Sequence, residues 1–529
     1  MLKNKRKGKL MILLLAGCCT LVAQNCRIYV VDTQTTYQQI DNFSASDAWR
    51  IHFIGKHWPV EKRNQLADWL FSTDFDEKGN PRGMGLSNWR VNIGAGSYDH
   101  RDYEKEVKDT WNQTECFLAP DGTYDFSKQA GQQWFMNAAR KRGMNNFLFF
   151  TNSAPYFMNR SASTVATDNH SINLMGDKMN AFSEFLACCV RHFQKQGYGV
   201  NYISPVNEPD VEWNTNPMQE GTVATKNDIR NVVLALDKAI TDKGLKTKII
   251  IPEVGDFKYL FEVSDSERVP DDMIHAFFSK KAPYDVSSCK NLYNCVAAHD
   301  YWSAYPPSLL VDMRTKVRNA LDKHGLGTKF WASEYCILEK NEDVSMSDSP
   351  QKSISRALYV ARLIHMNLTV ANASAWQWWT AVAFGEEVPV RMGTKPGASF
   401  ESLKYNGELF ANKLLWATAN FSFFIRPGMK RVKVGWLNGE STPLEDATSL
   451  MVSSFVGKDK LVTVFINYST QDERVKLKCE SAKKGKMYLT AIDKDLAYQG
   501  EKALNNLCVP ARSIACLLYT SDAADDLIG

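Results

Sequence analysis

Eight short runs rich in β-branched and aromatic residues recur between Asn42 and Trp379, each followed by a stretch of helical periodicity or a long polar loop. They are "NFSASDAW", "LSNWRVNIG", "FLFFTNSAP", "VNYISPVNEP", "KIIIPEVGDF", "CVAAHDYW", "KFWASEY" and "ASAWQWW". Such runs are too short for helices and too continuously apolar for strands with one wet face, so they read as buried parallel strands. Between the fourth run and its neighbours, Phe182, Phe185, Leu186, Cys189, Val190 and Phe193 share one helical face that stops at Gly197. Ile229, Val232, Val233, Leu236 and Ile240 mark a second helix closed by Gly244, and Met313, Val317 and Leu321 a third that ends at Gly325. Eight strand–helix repeats predict an α/β fold, a (β/α)8 TIM barrel over residues 41–414. A doubly wound open sheet is the alternative, but no G-x-G-x-x-G follows the first strand.

Beyond Leu415 the apolar period changes to two. "SLMVSSFVGKDKLVTVFINYS" reads as a hairpin with a Gly-Lys-Asp turn, and "RVKLKC" alternates basic with apolar residues. A β-sandwich over 415–515 is expected, with the alternating segment 24–40 adding a strand to it from before the barrel. Its role reads as structural support. Residues 516–529, "CLLYTSDAADDLIG", resemble a translated sequencing adapter and are expected to be foreign to the gene.

The basic run "KNKRKGK" followed by "LMILLLAGCCTLVA" has the layout of a signal peptide over 1–23, its apolar part falling short of the roughly 20 residues of a membrane span. The protein is therefore expected to be exported, periplasmic or extracellular. "LAGC" offers lipidation at Cys18 as a second exit, but the apolar "TLVA" after it favours cleavage after Ala23. No later segment reads as a membrane span. With 63 basic and 59 acidic residues, a net charge of +4 leaves no excess to hold a phosphate backbone, so nucleic acid is excluded as a partner. The twelve cysteines are scattered and form no framework; Cys289 with Cys295 and Cys479 with Cys508 are possible pairs, free thiols the plainer reading. No CxxC or HxxxH spacing calls for a metal, and no cofactor is expected.

Barrel active sites lie at strand C-termini. Glu208 ends the fourth predicted strand and Glu334 the seventh, across one barrel mouth, which suits glycoside cleavage by paired carboxylates. Position alone leaves an ion pair or a solvated rim open, and Glu253, also at a strand end, competes for either role. Arg90, Ser153, Asn207, His299, Tyr301, Trp376 and Gln377 occupy the remaining strand ends.

The strings "SPVNEPDVEW", "QEG" at Gln219–Gly221, "FWASEY" and "AWQWW" resemble glycoside hydrolase family 30, and within it the endo-β-1,6-galactanase-like branch. The resemblance implies that Glu208 of NEP is the acid/base and Glu334 of SEY the nucleophile of a retaining double displacement, leaving Glu253 a binding or structural carboxylate. On that basis Asn207 is expected to bond the sugar 2-hydroxyl, Arg90 to keep Glu334 ionised, Tyr301 to donate to Glu334 and His299 to bond nearby. Trp376 is expected to floor the subsite of the attacked sugar, and Glu220 with Trp213 to shape substrate choice beside Glu208. Where the family often shows "GFG" at the first strand, Asn42–Ser44 is "NFS", which leaves Asp47 without an assigned role. The expected function is an exported retaining β-glycosidase acting on β-1,6-galactan side chains of arabinogalactan, its partner a poly- or oligosaccharide. A relative cleaving another β-glycoside is the first alternative and a non-catalytic carbohydrate-binding protein the second.

Overall fold

The computed structural model describes residues 26–520, apart from 104, 215–217, 264–270, 326, 345–349 and 480–481. The expected signal peptide, Cys18 and residues 521–529 lie outside the described residues. Strand β1 (Arg27–Gln39) leads into a closed barrel of eight parallel strands. These are β2 (Asn42–Ser46), β3 (Asn88–Asn92), β4 (Phe147–Phe150), β5 (Val200–Ser204), β6 (Lys248–Val254), β7 (Leu292–His299), β8 (Lys329–Glu334) and β9 (Ala375–Trp379). Each falls on one of the eight apolar runs, and β9 closes the ring on β2 through Asn42–Ala375 to Ser46–Trp379 pairing.

The two faces of these strands separate cleanly. Leu148, Ile250, Ala297, Trp331 and Ala375 fill the barrel interior, whereas Phe147, Phe149, Val296, Ala298 and Ala332 pack outward in the main core with the helix layer. At the floor, four donors converge on Asp41: Tyr293 Oη at 3.1 Å, Lys329 Nζ at 2.5 Å, Trp331 Nε1 at 2.9 Å and Ser374 Oγ at 3.0 Å. The outer layer comprises α1 (Arg50–His57), α2 (Val60–Phe71), α3 (Ala130–Lys141), α4 (Met179–Lys195), α5 (Lys226–Asp242), α6 (Met273–Phe278), α7 (Pro307–His324), α8 (Pro350–Thr369) and α9 (Lys413–Ser422). Helices α1 and α3 touch backbone to backbone, for a Cβ on Gly55 would lie 2.3 Å from the Gly131 carbonyl oxygen. Helix α5 begins in a capping box between Thr225 and Asp228. A small sheet of β10 (Val382–Ala383), β11 (Val390–Gly393) and β12 (Glu408–Ala411) follows the barrel.

The C-terminal region holds β13 (Lys430–Trp436), β14 (Leu450–Val456), β15 (Lys460–Asn467), β16 (Glu473–Lys478), β17 (Lys484–Ala491), β18 (Lys494–Ala503), β19 (Leu507–Val509) and β20 (Ser513–Thr520). With β1 seated between β13 and β16, they form one nine-stranded sheet that encloses its own core. Alternation along β15 decides the partners: Leu461 and Phe465 enter that inner core, while Val462, Val464 and Ile466 join the barrel core. Both expected domain bounds need adjustment. Residue 415 lies inside α9, and the sheet runs through Thr520, with Cys516 fully buried and paired to Val464 and Tyr488, because the pairing of β20 with β15 and β17 does not stop at 515. The described cysteines form no disulfide, and no described helix is long and apolar enough to cross a membrane.

Candidate active site

Strand period places the barrel-mouth side chains. Arg90 on β3 and His299 on β7 point inward at the C-terminal ends of their strands; Glu334 ends β8 one residue past the inward Ser333, where a register shift pairs it with His299, and Asn207 and Glu208 lie just beyond the end of β5 at Ser204. Carboxylate oxygens of Glu208 and Glu334 and a ring nitrogen of His299 all lie within 4.8 Å of one another. Both glutamates line a cleft of about 800 Å³ at the barrel mouth.

The two carboxylates have different partners. Glu334 Oε2 accepts a short hydrogen bond from Arg90 Nη1, and its Oε1 accepts from Tyr301 Oη at 2.9 Å. Arg90 Nη2 donates to Asn207 Oδ1 at 2.7 Å, and the guanidinium lies over the Phe150 ring at 3.9 Å. Asn207 thus keeps its side-chain NH2 as the end that can meet a sugar. Among the described residues Glu208 meets no arginine; its Oε1 is 3.1 Å from His299 Nδ1. His299 Nε2 is 3.2 Å from Glu253 Oε2, which also accepts from Ser333 Oγ at 2.5 Å.

Burial alone would lower the pKa of His299, but the carboxylates of Glu334, Glu208 and Glu253 lift it to about 10, so both ring nitrogens carry protons. Burial raises the pKa of Glu334, the charges of His299 and Arg90 pull it back, and Glu208 pushes it up again. Glu253 ends below its ordinary value because Arg90, His299 and Ser333 outweigh its burial. Fully buried and outside the cleft lining, Glu253 is a counter-ion that holds Arg90 and His299 in place. Three carboxylates therefore face two cations, and one further proton makes the group neutral.

The backbone is bent to reach this geometry. Glu208 sits at φ 45° and Glu253 at φ 58°, joined by a 2.8 Å bond from Glu208 N–H to the Glu253 carbonyl. Left-handed non-glycine residues cost about 1–3 kcal/mol each and persist only where the surroundings enforce them.

Two expected substrate contacts are corrected. Trp376 is 0% exposed and donates Nε1 to Asp300 Oδ2 at 3.0 Å. On β9 it faces the helix layer with Trp378; the inward phase is Ala375, Gln377 and Trp379, and Trp379 lines the cleft edge-on to Trp49. Glu220 is likewise 0% exposed, and both its oxygens are taken, by Ala95 N–H at 3.0 Å, Ser97 N–H at 3.0 Å and Thr114 Oγ1 at 2.6 Å. It clamps the loop after β3 to the loop after β5 and cannot reach a sugar hydroxyl. Trp213 does line the cleft, with Nε1 donating to the Glu208 carbonyl at 3.2 Å. Gly221 makes room for it, since a Cβ there would stand 2.4 Å from the indole. Asp47 accepts from Ile51 N–H at 3.1 Å and Val382 N–H at 3.0 Å, tying α1 to β10.

The sequence did not single out Asp210, two residues after Glu208. It lines the cleft and accepts from Gly255 N–H at 2.9 Å; burial first, and then the Glu208 charge, lift its pKa to about 7. Nor did position show that Trp302, 59% exposed at φ 59°, is the open aromatic face of the cleft.

A TIM barrel that sets two carboxylates this close across its mouth, one of them held by an arginine, has the site of a glycoside hydrolase. The comparisons agree. The model of O-glycosyl hydrolase family 30 matches residues 26–386, and the chain belongs to that family; it is an O-glycosyl hydrolase. A solved conserved exported protein from Bacteroides fragilis is 59% identical, with a TM-score of 0.92 over 93% of this chain and 100% of that one. An endo-β-1,6-galactanase from Hypocrea rufa is 21% identical over 367 residues, 66% of this chain and 68% of that protein. An exo-β-1,6-galactobiohydrolase from Bifidobacterium longum is 28% identical over 109 residues, 20% of this chain but only 7% of that protein's length.

Proposed function

We propose that the protein is an exported retaining β-glycosidase, an endo-β-1,6-galactanase acting on arabinogalactan-type side chains, with Glu334 as nucleophile and Glu208 as acid/base. The carrying observation is the unequal pair: carboxylate oxygens within 4.8 Å, one bonded by Arg90 and Tyr301 and the other, among the described residues, by His299. Retaining enzymes keep their carboxyls about 5–5.5 Å apart, whereas inverting ones leave about 6.5–9.5 Å for a water. Arg90 and His299 favour the anion on Glu334, which attacks the anomeric carbon. Glu208, which no arginine meets among the described residues, is the acid that gives its proton to the leaving oxygen. Once Glu334 is esterified its charge is gone, and Glu208 takes a proton from the incoming water. Asn207, held by Arg90, donates to the 2-hydroxyl, while Trp213, Trp302 and Trp379 offer ring faces to the sugars.

The galactan reading is supported by the likeness to an endo-β-1,6-galactanase and to an exo-β-1,6-galactobiohydrolase, both named for a β-1,6-galacto linkage. An open cleft of about 800 Å³ accommodates a chain passing through, which favours endo action. Export is supported by the N-terminal signal pattern and by the likeness to an exported Bacteroides protein. The test is hydrolysis of de-arabinosylated arabinogalactan by wild type, Glu334→Gln and Glu208→Ala. Short β-configured oligosaccharides should appear with wild type and not with Glu334→Gln. Glu208→Ala should retain activity on activated aryl glycosides and yield a β-glycosyl azide with azide. Early α product, or equal hydrolysis of β-1,6-glucan, would refute the mechanism or the substrate respectively.

A further inference from the structure

A further carboxyl, that of Asp210, stands beside Glu208. The turn after β5 carries both residues and is closed by a 3.1 Å bond from Val211 N–H to the Glu208 carbonyl. The end of β6 fastens each of them separately. Glu208 N–H donates to the Glu253 carbonyl at 2.8 Å, and Gly255 N–H donates to Asp210 Oδ1 at 2.9 Å. Both side chains are thereby brought to Gly255. A Cβ on that glycine would lie 3.3 Å from Asp210 Oδ2 and 3.3 Å from Glu208 Oε1, so it is the bare Cα that lets the two carboxyls converge. Both line the catalytic cleft.

The charges around Asp210 leave this pair short of cations. Among the described residues its only hydrogen bond is the one from Gly255, and it forms no ion pair. Glu212 on its own loop and Asp256 on the loop after β6 line the same cleft. Lys258 is held by Asp256 at 3.2 Å, and Tyr259, its pKa raised by burial first and in part by Asp210, brings no charge. His299 is the cation that reaches Asp210 from β7, and Glu208, Glu253 and Glu334 already share that ring. Two adjacent carboxyls facing one shared cation do not both ionise readily. Burial, and then the charge of Glu208, lift the Asp210 carboxyl to about 7, so the two hold one proton between them up to neutral pH.

We propose that Asp210 is a positioning residue for the acid/base: across Gly255 it shares one proton with Glu208 and keeps the acid form of the pair available to higher pH than a lone glutamate would. Glu208 gives its proton to the leaving oxygen and regains one from the incoming water, so Asp210 ends each turnover as it began. This rests on Glu208 as acid/base and not on the galactan substrate.

The test is Asp210→Asn in the full-length enzyme, which keeps a side-chain oxygen for Gly255 N–H and removes only the charge. Its kcat/KM is followed against pH on phenyl and dinitrophenyl β-glycosides of the sugar that wild type cleaves best. With the phenyl glycoside, whose leaving group needs a proton, the basic limb should move to lower pH by about one unit, a loss of about tenfold on that limb. The dinitrophenyl glycoside, which leaves without a proton, should show no such shift. A purely structural role would instead lower both profiles together at every pH. Infrared difference spectra of the carboxyl band give a readout independent of turnover. A group titrating at about 7 should be present in wild type, absent in Asp210→Asn and about one unit lower in Glu208→Gln. An unmoved basic limb in folded Asp210→Asn, or an unmoved band in Glu208→Gln, overturns the proposal. Azide separates the two claims: a β-glycosyl azide from Glu208→Ala together with an unmoved limb sinks the shared proton alone, whereas no azide product removes Glu208 as acid/base and the proposal with it.

Discussion

Replacing His299 with Gln removes one of the two cations of the site while keeping a side chain that can hydrogen-bond. The ring nitrogen Nδ1 stands 3.5 Å from Glu334 Oε1. Two unit charges at that distance interact by about 4–5 kcal/mol at an effective dielectric constant of 20, a ceiling of about 3.5 pH units. Arg90 remains and the site relaxes, so we expect about 1–2 units. The sign follows from the role of Glu334, whose pKa burial raises and His299 lowers. Without the imidazolium, Glu334 holds its proton to higher pH, and a protonated nucleophile cannot attack. The acidic limb of kcat/KM should therefore move to higher pH by about 1–2 units, a loss of about 10- to 100-fold on that limb. A dinitrophenyl glycoside is the substrate of choice, because its leaving group departs without a proton from Glu208. A folded variant, checked by its thermal transition, whose acidic limb coincides with that of wild type would refute the charge argument.

Glu220→Ala should destabilise the protein by about 3 kcal/mol or more, because Ala95 N–H, Ser97 N–H and the Thr114 hydroxyl lose a buried acceptor together. The thermal midpoint should fall, while the ratio of kcat/KM between galactosides and glucosides stays put; the reverse pattern would restore a sugar-binding role. A chain ended at Leu415 should be insoluble, since it strands β1 without β13 and β16 and uncovers the barrel-core surface that Val462, Val464 and Ile466 pack against. Recovery of a soluble, active barrel in a sedimentation and activity assay would show that the sheet is dispensable.

The sequence alone determined the elements and the chemistry that lies close in chain order. Runs such as "KFWASEY" and the helical spacing of Phe182 to Phe193 are local facts of period and composition, so all eight strands were legible, as was the change to period two after the barrel. The placing of Glu208 and Glu334 at the barrel mouth was legible, because one follows β5 by four residues and the other ends β8. What the sequence could not decide was the company each side chain keeps. Trp376 and Trp379 sit three positions apart on one strand, and only the phase of β9 in the closed barrel puts one in the core and the other in the cleft. Glu220 reads as a loop carboxylate until the loop after β3 folds over it and supplies three donors from residues over a hundred positions away. The same holds for charge. His299 is neutral or cationic according to carboxylates delivered by β5, β6 and β8, and the barrel brings all three within hydrogen-bonding or ion-pair distance of one ring. Electrostatic energy falls with distance in space and is blind to separation along the chain, so protonation and role were settled only where the strands closed into a ring.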